Sequence, residues 1–451
     1  MADETRELAN FADSLVFENI PAHIRGIAVD VLVDQIGCQI GCSDLPWTGQ
    51  VRHTYASTGG TPEATVTRYG DRLPVVSAAI INSTFGHAFE FDDTNPFFHG
   101  HPGAELVAPL LAIGEREHVS GRDFLAAFIA GYEVRGRIGW SVSPDLVQRG
   151  GPHPITACGV FGVAAGVGKL LGLGSVGLEN AIAIAGAHSG GLMQVTQTGG
   201  SVKRLYAAIT ASNGMQAAQL AQAGITGPEQ ILEGNRGLLR VYSSNYRPDR
   251  IIADFGNMWT IEHARFKLYS CCAGIHPAID ALTKILATHK LSAADIDSIE
   301  VSYPKGFYSS VSVASPHDLL GMQFSTSYSL ALTALKGRNT SREYILEALT
   351  DPDVRSLAAK INVKEEPELT KQFEGRLAVL VKLQSKSHAN HEELMMATKV
   401  RLASEQIDDK LRSQVADVLR ANRCESLLQA LRKIETLDDV ATLFPMLVSK
   451  S

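Results

Sequence analysis

Apolar positions in the first 260 residues recur at three- and four-residue spacing, which is the pattern of helices. Residues 5–18 and 21–43 show this spacing, and Pro21 stands where a helix commonly begins. Further segments are long, rich in alanine and low in charge, so we predict helices that are buried on several sides. These segments are 74–91, 104–118, 121–142, 156–171, 176–190 and 201–223.

The pattern changes after residue 265. Residues 295–303 and 375–383 alternate between apolar and polar side chains and are enriched in β-branched residues, which is typical of strands. Between them, helical stretches are predicted at 320–336, 341–350 and 352–360. Residues 392–451 return to charged amphipathic helices, and Lys410 in this segment is expected on the surface.

These patterns predict a mainly α fold with a large all-helical domain and a smaller α+β lid domain. The helical domain is predicted to be discontinuous, with residues 1–264 and 392–451 packed together, and the lid to comprise residues 265–391. Small residues are frequent in segments 159–168 and 181–191, which favours close helix–helix packing. Such a bundle can also bury a subunit interface, so we expect a homodimer.

Composition and charge limit the function. The 451 residues suggest two or three domains, and 45% hydrophobic with 20% charged residues is typical of a globular protein with a large core. The net charge of −7 gives no reason to expect nucleic acid or an anionic membrane as a partner, and no apolar run approaches a membrane span. The acidic N-terminus lacks the pattern of a signal peptide, so a cytoplasmic enzyme is expected.

The six cysteines are too few and too scattered for a disulfide framework, so reduced thiols are expected. Cys38 and Cys42 lie one helical turn apart, which can indicate a metal pair, but no further ligand follows at suitable spacing. We interpret them as two small buried residues. The adjacent Cys271 and Cys272 are interpreted as packing residues, because no triad order supports a thiol nucleophile.

Three His-Pro dipeptides are the first candidates for chemistry. They are His101-Pro102, His153-Pro154 and His276-Pro277, each followed by a predicted helix. Proline fits the first helical position, so each histidine is predicted at or near a helix N-terminus. The helix dipole there favours a neutral ring that can accept a proton. Each dipeptide alone can be a simple helix start, but the three together favour a functional site.

The segment from Gly199 to Arg204 is the second candidate. Ser201 is predicted to cap the following helix, which places Lys203 and Arg204 in its first turn. Because cations are disfavoured there, either both side chains point into solvent or a bound anion offsets the conflict. The segment is not a nucleotide-binding P-loop, since its lysine lacks the required spacing from the glycines.

Lys267 and Tyr269 are the third candidate. They alternate onto one face of an extended segment that leads to His276. This segment lies at the predicted domain junction, where pockets are common. A lysine that faces solvent is the alternative.

Residues 87–94, with the sequence HAFEFDDT, are the fourth candidate and are followed by His99 and His101. Two acids and two histidines can bind a metal if the carboxylates of Glu90 and Asp93 both point inward. Hydrogen bonds that orient His101 or a substrate hydroxyl are the alternative that we favour, and no metal is predicted.

These motifs together make the sequence resemble the MmgE/PrpD family over nearly the whole chain. The family includes 2-methylcitrate dehydratase, cis-aconitate decarboxylase and iminodisuccinate epimerase. The resemblance rests on HAFEFDDT (87–94), HGHPGAELVAP (99–109), GGPHPITACGVFG (150–162), GGSVKRLYAA (199–208), FKLYSCCAGIHPAID (266–280) and MQFSTSYSLA (322–331). One departure is SKSHAN (385–390), which stands where many relatives have an Asp-Gly turn between lid strands.

The resemblance implies roles for individual residues. The implied catalytic residues are His101, His153, Lys203, Lys267 and Tyr328. The predicted substrate-binding residues are Glu90, Asp93, Thr94, Ser201, Tyr269 and His276. Lys203 and Lys267 would hold substrate carboxylates, and His101 and His153 would exchange protons.

The family also implies a large helical domain of two chain segments with a smaller α/β lid, a homodimer, and no metal or organic cofactor. All three family reactions develop negative charge next to a carboxylate. The resemblance therefore implies a cofactor-free lyase, a dehydratase or decarboxylase, that acts on a small di- or tricarboxylate. An isomerase of a small dicarboxylate is the alternative, and a non-catalytic relative that binds a metabolite is a further one.

Overall fold

The computed structural model describes residues 3–143, 145–148, 151–195, 200–373, 376–397 and 401–449. Helices account for 59% of the structure and strands for 10%, which confirms the predicted mainly α fold with a smaller α+β part. Among the described residues, no helix is both long and apolar enough to cross a membrane.

The first part of the chain is helical at every predicted segment and at three further places. Its helices are α1 (Glu4–Ser14), α2 (Ala22–Gly41), α3 (Pro46–Ala56), α4 (Val75–Gly86), α5 (Pro102–Glu117), α6 (Gly121–Val142), α7 (Asp145–Gln148), α8 (Pro154–Leu170), α9 (Gly174–Ala185), α10 (Tyr206–Gln222) and α11 (Leu238–Tyr242). Helices α3, α7 and α11 were not predicted. A short ribbon of β1 (Ala64–Thr65) and β2 (Arg72–Leu73) joins α3 to α4. One continuous core packs these helices together.

Glycines allow the central helices to approach closely, as the small-residue segments predict. Helix α8 packs against α6 and α10. A Cβ atom on Gly162 of α8 would lie 2.5 Å from the carbonyl oxygen of Gly131 on α6, so a larger residue would force these backbones apart. Cys38 and Cys42 are buried in α2 and at its end, as predicted.

The second part of the chain builds a four-stranded sheet covered by helices. Its strands are β3 (Ile296–Tyr303), β4 (Ile361–Glu365), β5 (Ala378–Ser385) and β6 (Asn390–Met396), in the order β4-β3-β5-β6. Strands β3 and β4 are parallel, and the other pairs are antiparallel. Its helices are α12 (His276–His289), α13 (Leu319–Gln323), α14 (Thr326–Lys336), α15 (Pro352–Ala358) and α16 (Pro367–Gln372).

Two of the strands, β3 and β5, lie where they are predicted, whereas β4 and β6 are not predicted by the pattern. Strand β6 spans the predicted boundary between residues 391 and 392, and the sheet continues to Met396. The hairpin between β5 and β6 contains the SKSHAN segment, and His388 adopts a φ of 63° there.

Two predicted helices in this part are wrong in detail. The stretch 320–336 is divided into α13 and α14, because Phe324 and Ser325 interrupt it and Ser325 caps the second helix. The stretch 341–350 contains only a 3-10 turn at Leu346–Leu349.

The C-terminal segment forms α17 (Ser404–Val415), α18 (Ala421–Arg432) and α19 (Phe444–Leu447). Helices α17 and α18 pack against α2 in the first part of the chain. The division of the whole chain into two domains stays a prediction. The expectation that Lys410 lies on the surface is wrong: it is 6% exposed, because α17 turns it toward Asp34 of α2, 2.6 Å away.

Candidate active site

The residues His87–Thr94, here called the acidic segment, follow α4 and lie between the two cores of the molecule. Ala88 and Phe89 belong to the core of the sheet-containing part, although α4 itself packs into the helical core. Side chains from distant parts of the chain hold three of its carbonyl groups. The donors are Arg204 to Ala88, Ser270 (2.6 Å) and Gln323 (2.8 Å) to Phe89, and Lys410 (2.5 Å) to Phe91.

Lys203 and Lys267 converge on the carboxylate of Glu90 in the middle of this segment. The Nζ atom of Lys203 contacts Oε1, and the Nζ atom of Lys267 lies 3.0 Å from Oε2. All three residues are buried, and Glu90 has a φ of 54°, in the left-handed region. Burial and the charges of Lys267 and Arg204 lower the pKa of Lys203. A carboxylate in contact with a lysine favours the charged ammonium, and Glu90 is in that position. Lys203 and Lys267 therefore form a buried site that binds a carboxylate, and in this structure that carboxylate belongs to Glu90.

Local structure explains how these lysines reach one point. Lys203 lies in a 3-10 turn, Ser201–Leu205, that precedes α10. Lys267 follows Arg265, whose backbone pairs with that of Thr94 through two hydrogen bonds of 2.8 Å. These two hydrogen bonds therefore hold the segment that carries Lys267 against the end of the acidic segment.

The predicted cap at Ser201 is wrong. The 3-10 turn starts at Ser201, no side chain caps it, and α10 begins only at Tyr206. Ser201 is exposed, and Gly199 lies outside the described residues. Arg204 does not join Lys203 at Glu90: its guanidinium stacks 4.0 Å from the Trp47 ring centroid and holds the Ala88 carbonyl.

A second cluster consists of His87, Asp92 and His101. The Nδ1 atom of His87 shares a 2.7 Å hydrogen bond with Asp92 Oδ2, and the Nδ1 atom of His101 lies 3.0 Å from the same oxygen. The two rings are 4.8 Å apart. Burial alone would raise the pKa of Asp92, but His101 and His87 hold it well below its ordinary value. Asp92 is therefore a buried carboxylate that hydrogen-bonds His87 and lies within ion-pair distance of His101.

All three His-Pro histidines lie at helix N-termini, as predicted. His101 precedes α5, His153 precedes α8 and His276 is the first residue of α12. The Nδ1 atom of His153 accepts the N–H of Ile155 at 3.3 Å, which leaves the proton of the neutral ring on Nε2. Burial, with the charges of His101 and His87, lowers the pKa of His153 to about 3, so this ring is neutral at pH 7.

Asp93 faces away from the lysine pair. Its Oδ2 atom accepts the Gly103 N–H at 3.2 Å, at the start of α5. Burial, followed by the charges of Asp34 and Asp92, raises the pKa of Asp93 to about 8. Its carboxyl group is therefore protonated at neutral pH.

This shift predicts a pH-dependent stability. The carboxyl of Asp93 keeps its proton in the folded chain up to about pH 8 but releases it near pH 4 in the unfolded chain, so it lowers stability as pH rises between these values. Asn can accept the same N–H but cannot ionise. We expect the melting temperature of Asp93→Asn to rise relative to the native protein from pH 5 to pH 8. A difference that stays constant across this range would contradict the assignment.

Three further predicted residues are Tyr269, His276 and Tyr328. Tyr269 donates to Asp280 Oδ1 at 2.6 Å, and its ring lies 5.0 Å from His276. Burial, followed by the charge of Lys267, lowers the pKa of His276 to about 3. Tyr328 is buried in the first turn of α14. Four residues before it, the ring centroid of Phe324 lies 5.8 Å from Lys203 Nζ.

Sequence reasoning did not assign roles to several residues that hold the site together. His87 and Asp92 lie within the HAFEFDDT motif, and their position beside a helix end and His101 was the available signal. Ser270 and Gln323 are uncharged, and nothing in the sequence near them points to the Phe89 carbonyl.

Comparisons with known proteins identify the family of the chain. The MmgE/PrpD N-terminal domain matches residues 6–251, and the MmgE/PrpD C-terminal domain matches residues 269–436. A cis-aconitate decarboxylase-like protein of Aspergillus oryzae is 28% identical, over 98% of this chain and 97% of its own. Cis-aconitate decarboxylase of Aspergillus terreus is 26% identical over 98% and 95%, and the human enzyme 27% over 84% and 81%. The chain therefore belongs to the MmgE/PrpD family, and the protein is a lyase of that family.

Proposed function

We propose that the protein is a cofactor-free decarboxylase of a small tricarboxylate such as cis-aconitate. The observation that carries this proposal is the convergence of Lys203 and Lys267 on one buried carboxylate, that of Glu90. Two cations around a single carboxylate favour binding of a further anion, because an additional negative charge would balance them. The matched decarboxylases supply the candidate substrate and reaction.

The chemistry of cis-aconitate suits this charge distribution. The bond to the carboxylate on the CH2 carbon breaks, and CO2 leaves. The released electron pair forms a new double bond and displaces the original one toward the carbon beside another carboxylate. A proton then adds to that carbon, which gives a methylene dicarboxylate. The negative charge that develops before protonation is next to a carboxylate, where a lysine ammonium stabilises it.

The site residues divide this task. Lys203 and Lys267 bind substrate carboxylates and stabilise the developing charge, while Glu90 moves aside or shares them. We assign delivery of the proton to His101, which lies 3.0 Å from Asp92, and to His153. We assign Thr94, Tyr269 and His276 to substrate binding and propose that Tyr328 donates a hydrogen bond to a substrate carboxylate. Because the lysines are buried, the sheet-containing part must move for substrate to enter.

A dehydratase of 2-methylcitrate or citrate is the second candidate, since the same lysines and histidines can support loss of water. The isomerase alternative has no comparable support. Incubation of the purified protein with cis-aconitate, citrate, 2-methylcitrate and iminodisuccinate, followed by NMR, separates these reactions. Release of CO2 with new methylene protons supports the proposal. Dehydration of a hydroxy acid, or deuterium exchange without net change, would replace it.

Metal dependence is the next point to test. Among the described residues, the donor atoms of His87, Asp92 and His101 lie within 4.8 Å of one another and can in principle hold a metal ion. The hydrogen bond between His87 and Asp92 explains their contact without one. We expect full activity after dialysis against a chelator. A loss that one specific metal restores would make this cluster a metal centre and overturn the cofactor-free proposal.

The homodimer and the cytoplasmic location stay predictions. Exposed apolar side chains near α10 support a subunit interface on that side of the bundle. They include Leu192, Val202, Ile209 and Leu220, which are 73%, 45%, 40% and 42% exposed.

A further inference from the structure

A buried ion pair joins two distant helices beneath the acidic segment. Lys410 of α17 and Asp34 of α2 are 2.6 Å apart, with side-chain exposures of 3% and 0%. Removing two charges from water costs several kcal/mol per ion. A buried pair is therefore weak evidence of a purely stabilising role, and its other contacts indicate what it does.

Those contacts fall on Phe91, the residue immediately before Asp92. The Nζ atom of Lys410 donates to the Phe91 carbonyl at 2.5 Å and lies 4.2 Å from the centroid of the Phe91 ring. The Phe91 carbonyl belongs to the peptide group that precedes Asp92, so the ion pair holds the backbone on that side of Asp92.

We infer that Asp34 and Lys410 are positioning residues for the reaction: they fix the backbone around Asp92, and Asp92 in turn orients His101. This inference rests on the proposed function for its kinetic readout. It assigns the C-terminal segment a role in the active site, although Lys410 lies more than 300 positions along the chain from Asp92. The link runs from α17, through the ion pair, to the peptide group before Asp92 and then to the imidazole.

The same helices provide a matched control. Asp30, one turn before Asp34 on α2, pairs with Arg432 of α18 at 2.5 Å. Arg432 also hydrogen-bonds Asp408 and the Ser404 carbonyl, and none of these residues belongs to the acidic segment. Arg432→Met therefore removes a cation that links α2 to the C-terminal helices without removing a contact to the site.

The test compares Lys410→Met with Arg432→Met. We expect Lys410→Met to lower kcat at least tenfold with less than a twofold change in KM. Arg432→Met should keep kcat within threefold of the native value, even if its melting temperature falls as much as that of Lys410→Met. The downfield NMR signal of the His87 Nδ1 proton, which reports its hydrogen bond to Asp92, should persist in Arg432→Met and disappear in Lys410→Met. Amide exchange of residues 87–94 should accelerate only in Lys410→Met.

Equal losses of kcat in the two variants, with the His87 signal intact in both, would show that the Asp34–Lys410 pair is only structural. If Lys410→Met does not fold, Asp34→Asn takes its place with the same expectations, since Asn retains the shape and an acceptor. The NMR and exchange measurements need no substrate. If the native protein converts none of the tested acids, the proposed function fails, while the His87 signal still decides this inference.

Discussion

Replacement of His101 with Asn is expected to lower kcat by about 10²–10⁴, which corresponds to about 2.7–5.4 kcal/mol of lost transition-state stabilisation. The imidazole lies 3.0 Å from the buried Asp92 carboxylate, which places one of its nitrogens beside a charge that can hold the ring during proton transfer. Asn is favourable at a helix N-cap, and helix α5 should therefore form normally. Steady-state kinetics on cis-aconitate and thermal unfolding measure both effects.

The opposite end of α5 supplies the control. His118 ends this helix in the left-handed region, is 71% exposed at its side chain and pairs with Asp439. Asn is also tolerated there, so His118→Asn should leave kcat within threefold of the native value. A His101→Asn variant with near-native kcat would remove His101 from the reaction and leave His153 as the remaining candidate.

Replacement of Lys203 or Lys267 with Met is expected to lower kcat/KM by about 10²–10³ in each case, or about 2.7–4 kcal/mol. Methionine keeps most of the aliphatic bulk and removes the charge. Glu90 retains one lysine in each single variant, so its carboxylate is not left without a cation. We therefore expect each variant to fold, with a melting temperature that circular dichroism can measure.

An exposed lysine is the appropriate control for these variants, and Lys410, being buried, is not. Lys371 is 73% exposed and pairs with Glu368 on the surface, so Lys371→Met should change neither kinetics nor folding. Near-native kcat/KM in both Lys203→Met and Lys267→Met would show that this pair serves only to neutralise Glu90.

The sequence predicts the helical part of the fold well, because helices α2, α6 and α8 have long apolar periodicities and the His-Pro dipeptides mark helix starts. Strand β6 was not predicted. Its sequence, NHEELMM, is charged and lies at the edge of the sheet, so the alternation that identifies half-buried strands is weak. This stretch forms a strand because it pairs with β5. The local sequence pattern holds no information about that pairing.

The site was predictable where residues act through local geometry, and not where they act through distant partners. His101 and His153 precede prolines, so their helix ends can be recognised from the sequence. Lys410 has no such local signal. The available clue was in the sequence of its partner helix, α2. Asp30 and Asp34 lie one turn apart in this apolar helix, and buried carboxylates require partners. That reasoning predicts a cation but not which one.

The most direct measurement is the stoichiometry of the reaction with cis-aconitate after the protein has been dialysed against a chelator. We predict one CO2 released for each methylene dicarboxylate formed, with one solvent deuterium incorporated per turnover in D2O, and loss of this activity in Lys203→Met. Unchanged cis-aconitate under these conditions, together with turnover of a hydroxy acid or a requirement for one metal, would contradict a cofactor-free decarboxylase.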